Sequence, residues 1–418
     1  MQFAAIKTTF FCIIFNQPLT QHGKMSKFYI IPFSICFALL TSYKMLVAEK
    51  TVKTSPSPTS FTPPSLKWSP ADSANPMMQY MASKIDSIYK AKRLYNNFNG
   101  CILVAKQGKP IYIGCFGYAN QYTKDTLTPQ SSFQLASVSK TLTSTAILML
   151  KEQGKLSLDD SVQQFYPDFP YHNVRVRDLL SHRSGLPNYL YFGSSYWKDK
   201  NLMLTNWHIM DIMASKKPKA AARPNTGFSY CNTNYVVLAA IIERVSGMSY
   251  KDFMESQIFY RLGMRNSFVF DYNYSSRANL TYGFDKKNNI DEFTMYDGVT
   301  GDKGVFSSVE DLFIFDQALY SGALISQATQ SEAYTPLSFE HPSRKNYGFG
   351  WRMMQQPDNS YLTYHNGWWH SYHTLFHRFT QQQTTIIALS NRHDRIVYDV
   401  DDIYKIVYGN DVLLEADE

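Results

Sequence analysis

The sequence predicts an α+β protein: a three-layer α/β/α sandwich, one antiparallel sheet flanked by helices, with a mostly helical subdomain inserted between its strands. Three observations point there. Strand-like runs form a hairpin near the start, at residues 101–105 and 111–116, and recur near the end, at 347–354, 361–364, 372–379 and 384–389. The stretches between these two groups carry helical spacing instead. The 30 Tyr and 28 Phe also suit a β-containing architecture better than a helical bundle. With 44% hydrophobic residues over 418 positions, the chain can bury a substantial core.

Residues 1–48 read as targeting sequence, a signal peptide or an N-terminal membrane anchor. Lys27 supplies a positive n-region after Met25, and residues 29–40 form an apolar h-region. That run is shorter than the roughly 20 residues that span a bilayer. Residues 41–48 offer no small-x-small cleavage site, so an uncleaved anchor and a true start at Met25 both stay open. Up to residue 53 there are six lysines against Glu49, which accounts for five of the seven net positive charges. Only two remain for the rest, so a nucleic-acid footprint over the folded part is excluded. Residues 49–75, with the run TSPSPTSFTPPS, read as a Ser/Thr/Pro-rich linker. The folded domain then covers residues 76–418. The expected picture is an exported body, periplasmic or anchored to a membrane, with the catalytic domain outside the cytoplasm.

Within the body, Met77, Met81, Ile85, Ile88 and Tyr89 share one face of a first helix. In the hairpin that follows, a turn centred on Gly108 sets Cys101 opposite Cys115. In an oxidising compartment the two can form a disulfide. Separate buried thiols are the simpler expectation, because a one-residue change of register puts the pair on opposite faces. None of the five cysteines forms a C-x-x-C pair, which excludes zinc-ribbon and thioredoxin-type readings.

Residues 133–150 (FQLASVSKTLTSTAILML) read as a helix with a small, apolar approach. Residues 174–187 (VRVRDLLSHRSGLP) read as a short helix running into a loop. Residues 188–224 read as a long loop-rich region, whose Tyr189, Tyr191, Tyr196, Trp197 and Trp207 either line a cleft or pack. Residues 228–245 pass from polar and aromatic to apolar at helical spacing, closed by Gly247, and residues 249–263 form a further helix. Residues 268–289 read as an irregular insertion. Ser307 and Glu310 form a capping box ahead of an amphipathic helix up to residue 320, and a terminal helix covers 399–407.

The chemistry gathers in three places. In a helix Lys140 sits one turn above Ser137, with its amine near the hydroxyl, at a helix start that favours developing negative charge. A serine hydroxyl needs such a base before it attacks. S-x-x-K is a weak string by itself, but Tyr230-Cys231-Asn232 and His365-Asn366-Gly367 follow it in order. On these three elements the chain resembles the serine β-lactamase and penicillin-binding family, particularly its class C-like branch of esterases and D-aminopeptidases. They match that family's S-x-x-K, Y-x-N and [KH]-x-G boxes. LLSHRSGLP from Leu179, GVFSSVEDL from Gly304 and YGFGW from Tyr347 also look like the family, and the resemblance covers residues 76–408.

The resemblance implies a β-lactamase/transpeptidase-like fold and a serine hydrolase working through an acyl-enzyme on Ser137. Lys140 and Tyr230 share the proton, since a cation beside a phenol favours the phenolate. By similarity Tyr230 is the base. Asn232 is suited to hydrogen-bond Lys140 and a substrate carbonyl. The oxyanion is expected on the backbone N–H groups of Ser137 and Trp368, with His365 and Gly367 completing the substrate-binding set. Cys231 reads as a small spacer.

Two departures bear on substrate. His365 stands where true β-lactamases carry lysine, which weakens the case for a fixed cation and tilts toward an esterase or peptidase-like hydrolase. Trp368 and Trp369 place two indoles at the site mouth, to stack on a substrate or to narrow access. A β-lactamase, a D-Ala-D-Ala carboxypeptidase and a penicillin-binding or sensor module with little turnover remain alternatives. No cofactor is implied. His365, His370, His373 and His377 cluster, but strand geometry points His370 and His373 to opposite faces, and no H-E-x-x-H occurs. Nor does G-x-S-x-G occur. The expected partners are a small-molecule or peptide substrate and, through the N-terminal segment, a membrane.

Overall fold

A computed structural model of the protein describes residues 61–64 and 75–409. The leader expected over residues 1–48 and most of the linker at 49–75 lie outside them. Phe61, expected in that linker, packs partly buried against the larger core. Helix α1 (Pro76–Asn96) begins on a proline behind Asn75, whose side chain accepts from the Met77 N–H, and ends where Asn97 turns left-handed. It buries Ala82, Ile85 and Tyr89. Met77, placed on that face by spacing, is exposed. The stripe is set by what the helix packs against, and a first-turn methionine falls outside it.

Strands β1 (Gly100–Lys106) and β2 (Lys109–Phe116) form the expected hairpin about Gln107 and Gly108. Cys101 stands opposite Cys115 and the two are joined by a disulfide, which corrects the expectation of separate thiols. The one irregularity of register falls between Val104 and Ala105, close to the turn, so it does not reach the cysteine pair.

Helices α2 (Ser139–Glu152), α3 (Val176–Leu180), α4 (Tyr189–Tyr196), α5 (Asn206–Lys216) and α6 (Thr233–Ser246) supply most of the helical subdomain. The loop-rich reading of 188–224 is thereby corrected. Asn188 and Thr205 cap α4 and α5, accepting from the N–H groups of Leu190 and His208. Exposed Tyr191 and Trp207 blur the apolar stripe of these helices in the sequence. Ahead of α7 (Val309–Ser321) the cap is Ser308, accepting from the Asp311 N–H, and not Ser307, which ends the short strand Val305–Ser307.

The closing strands are β3 (Lys345–Tyr347), β4 (Arg352–Gln355), β5 (Tyr361–Trp369), β6 (Tyr372–Phe379) and β7 (Thr384–Ser390), followed by α8 (Asp401–Tyr408). The single strand expected over 347–354 is split in two. Its backbone turns at Gly350 (φ 82°), where any Cβ would stand 2.4 Å from that of Ser144.

The seven strands make one antiparallel sheet in the order β2-β1-β7-β6-β5-β4-β3. Alternation along β1 feeds both faces. Cys101, Leu103 and Ala105 enter the larger core with α2, α6 and α7, whereas Ile102 and Val104 enter a smaller core with α1 and α8. Each fully buried apolar side chain of this kind stabilises the fold by about 1.5–3 kcal/mol. Three layers result, as predicted. Strand β4 pairs with β5 only over Tyr361–Tyr364. Among the described residues, the corresponding edge of residues 365–369 therefore has no strand partner. Among the same residues no helix is long and apolar enough to cross a membrane.

Candidate active site

Ser137 lies in a single 3-10 turn, Ala136–Val138, that leads into α2. Ala136 is buried in the left-handed region at φ 49°, a conformation costing a non-glycine residue on the order of 1–3 kcal/mol. The turn is pinned from the sheet. Thr374 on β6 donates to the Leu135 carbonyl at 2.7 Å. Gly367 on β5 passes so close that a Cβ there would stand 2.3 Å from that carbonyl oxygen and from Thr374 Oγ1. Only a glycine lets the strand run this near the serine turn.

The helical spacing works as expected. Lys140 Nζ donates to Ser137 Oγ at 2.9 Å, and its second bond goes to the Asp302 carbonyl at 2.8 Å. The amine is fully buried, 5.1 Å from the centre of the Tyr230 ring and 5.6 Å from that of Tyr235. Tyr230 arrives from the loop before α6 with its O–H 3.0 Å from Ser137 Oγ. The hydroxyl of a half-buried serine thus meets a lysine and a tyrosine at once.

Asn232, expected to bond Lys140, does not; the Asp302 carbonyl takes that place. Sequence reasoning missed Asp302 because a backbone acceptor leaves no residue-type signal. Its environment is specific, however. Tyr189 donates to the Asp302 carboxylate at 3.0 Å, and the buried Lys303 amine lies 3.7 Å from that carboxylate and bonds Tyr189. Burial pushes the Lys303 amine below its ordinary range, against the pull of Asp302 and Asp297.

Another missed residue is His182, in the LLSHRSGLP stretch. Its Nδ1 accepts from the Cys231 backbone N–H and from the Asn234 amide, both at 3.1 Å, and its ring packs 4.2 Å from that of Tyr230. Burial, then the charges of Lys140 and Arg352, hold it well below the usual histidine range. A neutral imidazole thus fixes the loop that carries the tyrosine. Cys231 is buried, its thiol pushed up by burial and donating to the Leu186 carbonyl, as a spacer would.

His365 is fully buried. Its Nδ1 donates to the Asn366 carbonyl at 2.7 Å, so Nε2 accepts from the Tyr347 hydroxyl at 3.1 Å. Burial, with the charges of Arg352 and Lys140, pushes it well below 6.5. It is a neutral strut rather than a cation. A second cation beside the tyrosine, after Lys140, is Arg352 on β4, with its guanidinium 5.3 Å from the Tyr230 ring centre.

The four histidines do not converge. His377 reaches Asn366 and Tyr404, and His373 reaches Tyr398. His370 lies in the β5–β6 turn at φ 50° rather than in a strand, and bonds Asp297 at 2.9 Å. The described residues contain no group of three or more potential metal ligands. The two tryptophans also separate. Trp369 turns inward and donates to Asp297 at 2.6 Å, whereas Trp368 is 62% exposed. Beside Trp368 a cleft of about 900 Å³ follows the open end of β5, with Arg352, Asn366 and Gly367 in its wall. None of the five aromatics of residues 188–224 lines it; Tyr189 packs, and Tyr191 and Trp207 face solvent.

A family model described as Beta-lactamase matches residues 93–410. Penicillin-binding protein 4* of Bacillus subtilis is 34% identical over 337 residues, which is 77% of this chain and 74% of that protein. The D-aminopeptidase of Brucella anthropi is 25% identical over 283 residues, 65% of this chain and 52% of its own. The chain thus spans about half the length of that relative. Among solved structures, the octameric penicillin-binding protein homologue from Pyrococcus abyssi superposes with a TM-score of 0.67 at 26% identity, over 78% of this chain and 76% of that one.

Proposed function

Since the chain belongs to the β-lactamase family, serine hydrolases that act by acyl transfer, we propose that Ser137 is its nucleophile and that Lys140 and Tyr230 handle the proton. The observation that carries this reading is the pair of contacts on Ser137 Oγ, 2.9 Å from Lys140 and 3.0 Å from Tyr230. Lys140 and Arg352 both lie close to the Tyr230 ring. As Oγ bonds to the substrate carbonyl carbon, its proton passes to Tyr230. The oxyanion rests on the backbone N–H groups of Ser137 and Trp368. Collapse expels the leaving group, which takes the proton from Tyr230. Water then attacks the acyl-enzyme, again giving its proton to Tyr230, and Ser137 regains its hydrogen.

The substrates we propose are small esters, amides or D-amino-acid peptides. A buried, neutral His365 cannot serve as the fixed cation for a substrate carboxylate, and Arg352 is the group positioned to do so. That favours, as a second reading, a D-Ala-D-Ala carboxypeptidase over an efficient β-lactamase. The Asn232 amide and Gly367 would border the bound acyl group. Residues 1–48 would export the body and 49–75 would tether it. The Cys101–Cys115 disulfide supports an oxidising compartment.

Turnover of p-nitrophenyl esters, D-Ala-D-Ala peptides and nitrocefin tests the assignment. The expected order is ester or peptide well above nitrocefin. Rapid nitrocefin hydrolysis with neither of the others would overturn it.

A further inference from the structure

The cleft along the open end of β5 has a wall whose side chains take no part in the acyl transfer proposed above. Trp368 stands exposed there, with its ring parallel to that of His373 at 6.0 Å. His373 is only 4% exposed, yet its Nε2 has no hydrogen-bond partner. Its tautomer follows from its neighbour. Tyr398 donates its one hydroxyl hydrogen to the Gly367 carbonyl at 2.5 Å, so at 3.3 Å His373 Nδ1 must be the donor and Tyr398 the acceptor. Nε2 is therefore a bare acceptor, kept unprotonated by burial and by the charges of His393 and Arg395, which together push its pKa down to about 4. In the same wall Asp394 Oδ2 is also buried without a hydrogen-bond partner; Arg392 Nε, at 3.9 Å, is too far for one.

Two orphaned acceptors beside an exposed indole call for a ligand with several donors and a flat apolar face. An ammonium group is disfavoured, because Lys286, Lys345, Arg352 and Arg395 line the cleft against the one carboxylate of Asp394. A ring of hydroxyls that carries its own acid fits all three features. We propose that this wall is a subsite for an acidic sugar. Its ring stacks on Trp368, its hydroxyls donate to His373 and Asp394, and its carboxylate faces Arg395. The inference rests on the serine-hydrolase reading only in taking this sugar to be part of the substrate held at Ser137.

The test is titration calorimetry of trigalacturonate into Ser137→Ala protein, which separates binding from chemistry. Saturable binding is expected. It should be weakened about tenfold or more by Asp394→Asn and by Arg395→Ala, as loss of a hydrogen bond or ion pair involving a charged group implies. In the Ser137 background both variants should hydrolyse p-nitrophenyl butyrate at close to the parent rate. Absence of saturable binding, binding indifferent to both substitutions, or full displacement by inorganic phosphate would each overturn the subsite. Wild-type protein that binds trigalacturonate but turns over no ester would sink the hydrolase reading and leave the subsite standing.

Discussion

Ser137 Oγ lies within hydrogen-bond reach of two groups that can move its proton, and the two are not equivalent. Tyr230→Phe keeps the ring beneath Lys140 and Arg352 and removes only the oxygen. Its kcat/KM for small esters should fall by about 10²–10⁴, the usual worth of a positioned general base, at nearly constant KM. Arg352→Ala should act differently. If the guanidinium receives a substrate carboxylate, kcat/KM for a D-Ala-D-Ala peptide should drop about 10–100-fold more than for a neutral ester. Equal losses on both would assign Arg352 to Tyr230 alone. At this scale the sequence was informative wherever side-chain type carries the chemistry, as at Ser137, Lys140 and Tyr230. It was silent on Asp302, whose contribution is a carbonyl, and it could not tell a half-buried Asn232 from one that bonds the lysine. His365 matched its motif, but only burial reveals it as a neutral strut.

The element that sets the geometry is β5, whose end runs past the serine turn and returns through His370. Gly367→Ala forces a methyl group into the Leu135 carbonyl and Thr374. The strand must then retreat from Ser137, so kcat for ester hydrolysis should fall by about tenfold or more while far-ultraviolet circular dichroism stays unchanged. The β5–β6 turn is held by charge. His370 lies between Asp297 and Asp291, and Trp369 also bonds Asp297. Burial lowers the His370 pKa, but the hydrogen bond and charge of Asp297, with the charge of Asp291, outweigh it and raise the value above 6.5. A raised histidine pKa contributes stability that is fully present below pH 6.5 and is lost as pH rises through the folded-state value. The melting temperature of wild type should therefore decline over that window, and His370→Gln should abolish this part of the decline. An identical slope in the variant would refute the anchor. Strands and long helices were readable from periodicity; α4 and α5 were not, because solvent-facing aromatics such as Tyr191 and Trp207 mimic an unpatterned loop.

At the scale of the molecule, sheet and subdomain meet at Ser137, which is why residues far apart in sequence assemble one site. The hairpin that opens the sheet is closed by the Cys101–Cys115 disulfide. Cys101→Ser/Cys115→Ser should cost on the order of 3 kcal/mol by loop closure alone, read as a lower urea midpoint at unchanged ester activity. The three-layer architecture was legible because hairpin strands bracket helical spacing along the chain. The disulfide was not, since register depends on where a bulge falls. The central claim is an acyl-enzyme on Ser137, and intact-mass spectrometry during turnover of a p-nitrophenyl ester tests it most directly. One acyl group should appear on wild-type protein, map to Ser137, and be absent from Ser137→Ala. An adduct that persists in Ser137→Ala, or hydrolysis of the ester by that variant at the wild-type rate, would contradict it.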